Sequence, residues 1–114
     1  MAIIDPQQLM EHLEDDLELL EQAYELFQEE SESLQADLKQ AVNRQDAGAI
    51  HAAAHSLKGM LSNFLAEAPC QTLVQIQESD QTNSDAKQQL LQNLRTQLDM
   101  MDSEIKQIIE SGKV

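Results

Sequence analysis

Apolar residues at Leu91, Leu94, Leu98, Met101, Ile105 and Ile108 are spaced three, four, three, four and three apart, and no other feature restricts the fold of this chain as much. At about 100° per residue that alternation keeps all six on one side of a helix. A strand would send them to both faces. The stretch predicts a long helix with Ser84 as its N-cap and an end near Ser111-Gly112. A second stripe, Leu17, Leu20, Tyr24, Phe27, Leu34 and Leu38, follows spacings of three, four, three, seven and four, broken once by Ser31. It predicts a helix capped by Asp15 or Asp16, with Asp15 and Glu18 loosely at capping-box spacing, running to about Asn43.

The remaining stretches are shorter. Asp5-Pro6 is a helix start, an Asx cap followed by proline at the first helical position, and leads into a short segment through about Leu13 whose Leu9 and Leu13 can bury one side as a lid. Asn43-Arg44-Gln45-Asp46 breaks the pattern, and Asp46 can cap a third helix ending near Leu65 or Ala66. Pro69 suits the first turn of a fourth, from about Glu67 or Ala68 to Glu78, with Leu73, Val74 and Ile76 as its apolar side. Ser79-Asp80-Gln81-Thr82-Asn83-Ser84 is polar and turn-prone. Only 3 Gly and 2 Pro occur in 114 residues, so sharp turns are few and all-α is expected. The aromatic residues are Tyr24, Phe27 and Phe64, which leaves the core to Leu, Ile, Met and Ala. The expected fold is a single domain over residues 1–114, an antiparallel up-and-down four-helix bundle with a short N-terminal lid helix. Stripes this regular also suit an intermolecular coiled coil, but short loops and four separate amphipathic segments favour the intramolecular bundle and a monomer.

Charge narrows the partners. A formal net charge of −14 argues against nucleic acid and against an anionic membrane, both of which present negative charge; it favours partners with basic patches, or small cations, and serves solubility equally well. Cys70 is the single cysteine, which excludes an intramolecular disulfide or a cysteine metal cluster and suits a small buried hydrophobe. The first residues contain neither a basic region nor a long apolar run, no later stretch approaches membrane-spanning length, and a cytoplasmic protein is expected. There is no Gly-rich nucleotide loop, so ATP should not label the chain and no kinase activity is expected.

On the wheel of the third helix, Ile50, Ala53, Leu57, Met60, Leu61 and Phe64 fall within roughly 60° of Leu57. His55 lies nearly opposite, with His51, Lys58, Gly59 and Ser62 gathered around it. An exposed imidazole can act as a covalent nucleophile. Lys58, three residues on, can place its charge beside anything attached to the ring. Gly59 costs about 0.5–1 kcal/mol against alanine within a helix, a cost that close approach of another backbone would offset.

His55-Ser56-Leu57-Lys58-Gly59, followed by Asn63-Phe64, resembles the signature of histidine-containing phosphotransfer (HPt) domains of bacterial phosphorelays. The specific part of the likeness is a core of roughly a dozen residues; helix order and length agree more broadly. Family members usually carry a second glycine directly after the Asn-Phe-like pair, where this chain has Leu65. The resemblance implies that His55 takes a phosphoryl group from, or passes one to, the aspartate of a response-regulator receiver domain, free-standing or part of a hybrid sensor histidine kinase. It also implies that the receiver supplies Mg²⁺, so that this domain needs no cofactor or metal of its own and is a carrier without turnover. Lys58 would then neutralise phosphoryl charge, Gly59 would leave room for the receiver, and Ser62 is a candidate phosphate or receiver contact that fits equally a small exposed residue.

Two histidines fall outside the pattern. His51, one turn before His55, could be a second acceptor, a ring-orienting neighbour, a metal partner or simply a solvated surface residue. His12 reads as surface. A bundle holding a metal through His51 and His55 with inward carboxylates would need both rings to point inward, and the wheel turns both outward. A helical adaptor without chemistry is the remaining alternative; it predicts that His55→Gln leaves all binding intact.

Overall fold

The computed structural model describes residues 2–79 and 84–112. Five helices occur among the described residues: α1 (Pro6–His12), α2 (Leu17–Asn43), α3 (Ala47–Ser62), α4 (Glu67–Glu78) and α5 (Ser84–Gly112). No strand occurs among the described residues. Most of the turn expected over Ser79–Ser84 lies outside the described residues.

Three helix starts are made by aspartate. Asp5 accepts from the Gln8 amide, Asp16 from the Leu19 amide and Asp46 from the Ala49 amide, each at 3.1 Å. Each contact satisfies one of the amides that a helix start leaves without an intrahelical partner, a stabilisation of about 1 kcal/mol apiece. Asp16, rather than Asp15, caps α2, because Glu14 and Asp15 both adopt left-handed backbone (φ 56° and 59°) to turn the chain between α1 and α2. Gln45 (φ 54°) does the same between α2 and α3. The start of α4 has no side-chain cap; Pro69 lies in its first turn and is buried.

The apolar period continues through Phe64, yet α3 stops at Ser62 instead of reaching Leu65 or Ala66. Leu65 turns left-handed (φ 55°), and the Leu65 and Ala66 amides bond back to the Ser62 and Leu61 carbonyls at 3.2 and 3.5 Å. This closure is the type that normally uses glycine. It drops Phe64 into the core, 1 % exposed, where its ring meets Phe27 of α2 edge-on, 5.7 Å between centroids and 76° between planes. That geometry adds about 0.5–1.5 kcal/mol beyond simple burial.

The helices pack as a closed ring, α2 on α3, α3 on α4, α4 on α5 and α5 on α2. Side-chain contacts fix the neighbours' register. Asn43 near the end of α2 bonds to Gln88 near the start of α5, Arg95 meets Glu32, and Leu17 lies against Gly112. Thr72 of α4 donates to Gln97 of α5 at 2.9 Å. Leu94, Leu98, Met101 and Ile105 of the C-terminal stripe are buried, with Leu91 and Ile108 half-buried at its ends and Ile109 buried as well. The second stripe is continuous where the sequence shows a gap: Ser31 is buried, its hydroxyl accepting from Gln35 Nε2 at 2.9 Å. On α4, Leu73 and Ile76 are buried but Val74 is exposed, because 73 and 76 share a face that 74 does not. Lys87 is 1 % exposed and donates to the Ser79 carbonyl at the end of α4 at 3.0 Å.

In α1, Leu9 is buried. The residues before this helix are held by α5, where Glu104 accepts from the Ile3 amide at 3.0 Å and the Ile4 amide at 2.8 Å.

Candidate functional site

The site is the solvent side of α3. Ile50, Ala54, Leu57, Met60 and Leu61 face the core; Ala54 belongs to this set, while Ala53 of the expected stripe is only half-buried. His55 lies on the opposite side and is exposed, as are His51, Gly59 and Ser62. The His51 and His55 rings stand nearly parallel, 19° between planes and 6.5 Å between centroids.

Gly59 has helical backbone, and a Cβ built there would meet nothing within 4 Å. Neither a turn nor internal packing therefore requires glycine at this position. Beside the imidazole the helix presents bare backbone to the solvent.

Lys58 has a partner that the helical wheel does not show. It is half-buried, and its Nζ donates to Gln77 Oε1 of α4 at 3.1 Å. The other end of the same amide, Gln77 Nε2, lies 3.1 Å from His51 Nδ1. Gln77 thus ties the cation and the upstream histidine together across the α3–α4 groove and carries the Lys58 stem along it. The sequence reading missed Gln77. Its only signal is its place on α4, since its partners lie 19 and 26 residues away.

Ser62 is exposed, and its hydroxyl donates to the Gly59 carbonyl at 2.9 Å. Its proton is committed to the last turn of α3, and only its oxygen lone pairs face outward. Cys70 of α4 is half-buried near Lys58. Burial pushes its thiol above the usual value, the Lys58 charge works in the opposite direction, and Glu67 adds to the rise; such a thiol is poorly suited to nucleophilic work. His12 is exposed on α1. Among the described residues, no group of three or more His, Cys, Asp or Glu side chains could hold a metal ion, and no helix is long and apolar enough to cross a membrane.

A ring of packed helices thus exposes His51 and His55 on one face of α3, with the half-buried Lys58 and the bare backbone of Gly59 one turn beyond His55. Residues 22–107 match the family model of the Hpt domain, and the chain belongs to that family. Searches of curated proteins and of solved structures returned no significant match. Hpt domains work in two-component phosphorelays as phosphocarriers, exchanging with receiver domains and kinases.

Proposed function

We propose that this protein is a phosphorelay intermediate whose phosphoacceptor is His55. The observation that carries the reading is the conjunction on α3 of an exposed imidazole and a Gly59 with open space around it. Family membership supplies the chemistry, and the residues that follow His55 support its choice as the acceptor. His12 and His51 are exposed too, but neither has both a lysine three residues on and a glycine four residues on.

In this reading a lone pair on the neutral His55 ring attacks the phosphorus of an aspartyl phosphate held by a receiver domain. The N–P bond forms as the P–O bond to the aspartate breaks; the carboxylate leaves, and the proton on the second ring nitrogen exchanges with water. The reverse step returns the phosphoryl group. Phosphoryl transfer asks mainly for positioning and charge neutralisation. The receiver brings Mg²⁺ and its acidic pocket, and this chain contributes no cofactor. Lys58 supplies the nearby positive charge, swinging from Gln77 toward the phosphoryl oxygens. Ser62 and His51 border the contact area.

The same reading covers what surrounds the site. Residues 1–114 act as one domain, the ring of helices is an up-and-down antiparallel four-helix bundle with α1 as lid, and the protein is a cytoplasmic monomer whose partners are response-regulator receivers or hybrid sensor kinases. The contacts of Asn43 with Gln88 and of Leu17 with Gly112 support the antiparallel order of α2 and α5. Rapid mixing of a phosphorylated receiver with the wild-type chain and with Lys58→Ala tests the assignment of roles. Transfer to the variant should be slower by at least tenfold, equivalent to about 1.4 kcal/mol of lost stabilisation, while its circular dichroism stays unchanged. Equal rates would remove Lys58 from the mechanism.

A further inference from the structure

Beyond phosphoryl transfer, two imidazoles stand one turn apart on an exposed helix face, and the relay needs only one. We propose that His51 and His55 form a surface chelate for a divalent transition metal of the Zn²⁺ or Cu²⁺ type, and that the bound metal takes the phosphoacceptor out of service. Histidines four residues apart on a helix converge on one ion in the zinc motifs built on that spacing. Here the pair is already on one face, with rings 6.5 Å apart and 19° from parallel.

The geometry sets what must move. Metal–nitrogen bonds of 2.0–2.1 Å place the centroids of two imidazoles sharing an ion about 4.5–5.2 Å apart, so the rings must approach by about 1.3–2 Å and turn out of their near-parallel stack until both in-plane lone pairs meet at the ion. Both side chains are exposed, and a change of that size lies within ordinary rotamer adjustment.

His51 Nδ1 faces Gln77, which leaves Nε2 as its metal-binding nitrogen. A metal on Nε2 leaves the proton on Nδ1, and ligating histidines usually give that proton to a neighbouring carbonyl. Turning the Gln77 amide over supplies the carbonyl and lets go of Lys58, which Gln77 Oε1 otherwise holds. His51, Gln77 and Lys58 therefore respond to the ion together.

The donor set defines the ligand. Two imidazoles without a third His, Cys, Asp or Glu partner among the described residues leave the remaining positions to water, so binding is reversible. Imidazole suits Zn²⁺ and Cu²⁺ and does not hold Mg²⁺, which takes oxygen ligands. A net charge of −14 raises the local concentration of any cation. Metal on His55 occupies a ring lone pair that attack on phosphorus requires, so the two events compete. The blocking effect rests on the phosphocarrier reading; the chelate itself does not.

Titration calorimetry of the full chain with ZnCl₂ and with CuCl₂ tests the site directly. One ion should bind per chain, with affinity at least tenfold lower in His51→Gln and in His55→Gln, unchanged in His12→Gln, and no heat from MgCl₂. Equal affinity in wild type and His51→Gln would overturn the chelate. In a phosphotransfer assay, Zn²⁺ should inhibit the wild type at concentrations that leave His51→Gln unaffected; inhibition of both alike would place the effect on the receiver and overturn the proposed blocking. Metal binding that depends on both histidines, in a chain that no receiver labels, would uphold the chelate and refute the relay role.

Discussion

Gly59 is the position where stability and function should separate most cleanly. It lies inside α3 with helical backbone and open space where a Cβ would be. Replacing it with alanine therefore introduces no clash and gains the ordinary helix-propensity difference, about 0.8–1.0 kcal/mol. With an unfolding entropy of about 2.1 cal/mol/K per residue over 114 residues, that gain raises Tm by about 4 °C. The docking role predicts the opposite sign for function: Gly59→Glu, which puts a long side chain and a negative charge beside His55, should slow transfer from a phosphorylated receiver by at least tenfold, about 1.4 kcal/mol. Thermal unfolding followed by circular dichroism reads the first effect and rapid-quench phosphotransfer the second. A Tm that falls in Gly59→Ala would show an internal role for the glycine that the open space denies. Unchanged transfer in Gly59→Glu would refute the idea that the partner needs this surface bare.

Three further changes probe the surroundings. At Leu65, held at φ 55°, glycine should give a more stable protein than alanine by about 1 kcal/mol, since only glycine escapes the left-handed penalty; urea unfolding of Leu65→Gly and Leu65→Ala measures the order, and a more stable alanine variant would contradict the strain. Cys70, its thiol raised mainly by burial and lowered by Lys58, should react slowly with a disulfide reagent at pH 7 and faster as the pH climbs toward its raised value, because only the thiolate attacks; Lys58→Ala removes the opposing charge and should slow the reaction further, whereas acceleration would contradict the assigned cause. Glu104→Ala strips the acceptor from the Ile3 and Ile4 amides and should cost about 1–3 kcal/mol with earlier proteolysis of the first residues, while labelling of His55 stays intact.

Much of the fold was legible because its signals are local. Helix starts at Asp5, Asp16 and Asp46 follow from side chains that cap amides three residues away, and the C-terminal stripe follows from period alone. The exposed face of α3 follows in the same way, since an angle on one helix decides it. What escaped depends on contacts between helices, on backbone that polarity does not encode or, at Ser31, on a polar side-chain pair within α2. The gap at Ser31 closes because Gln35, one turn on, satisfies a buried hydroxyl. The stop at Ser62 comes from a left-handed turn carried by Leu65, a residue type that gives no turn signal. Gln77 reaches Lys58 and His51 only after α4 has packed on α3. The wheel places Lys58 one turn from His55 but does not show that its ammonium is bonded to a partner 19 residues away.

The central claim, that His55 carries the phosphoryl group, is tested most directly by incubating the protein with a labelled phosphoreceiver and examining the bond that forms. The account predicts a label that is stable in alkali and lost in acid, as expected of a phosphoramidate, and that is absent from a folded His55→Gln variant. Label retained by that variant, or a protein that no phosphoreceiver labels, would contradict it.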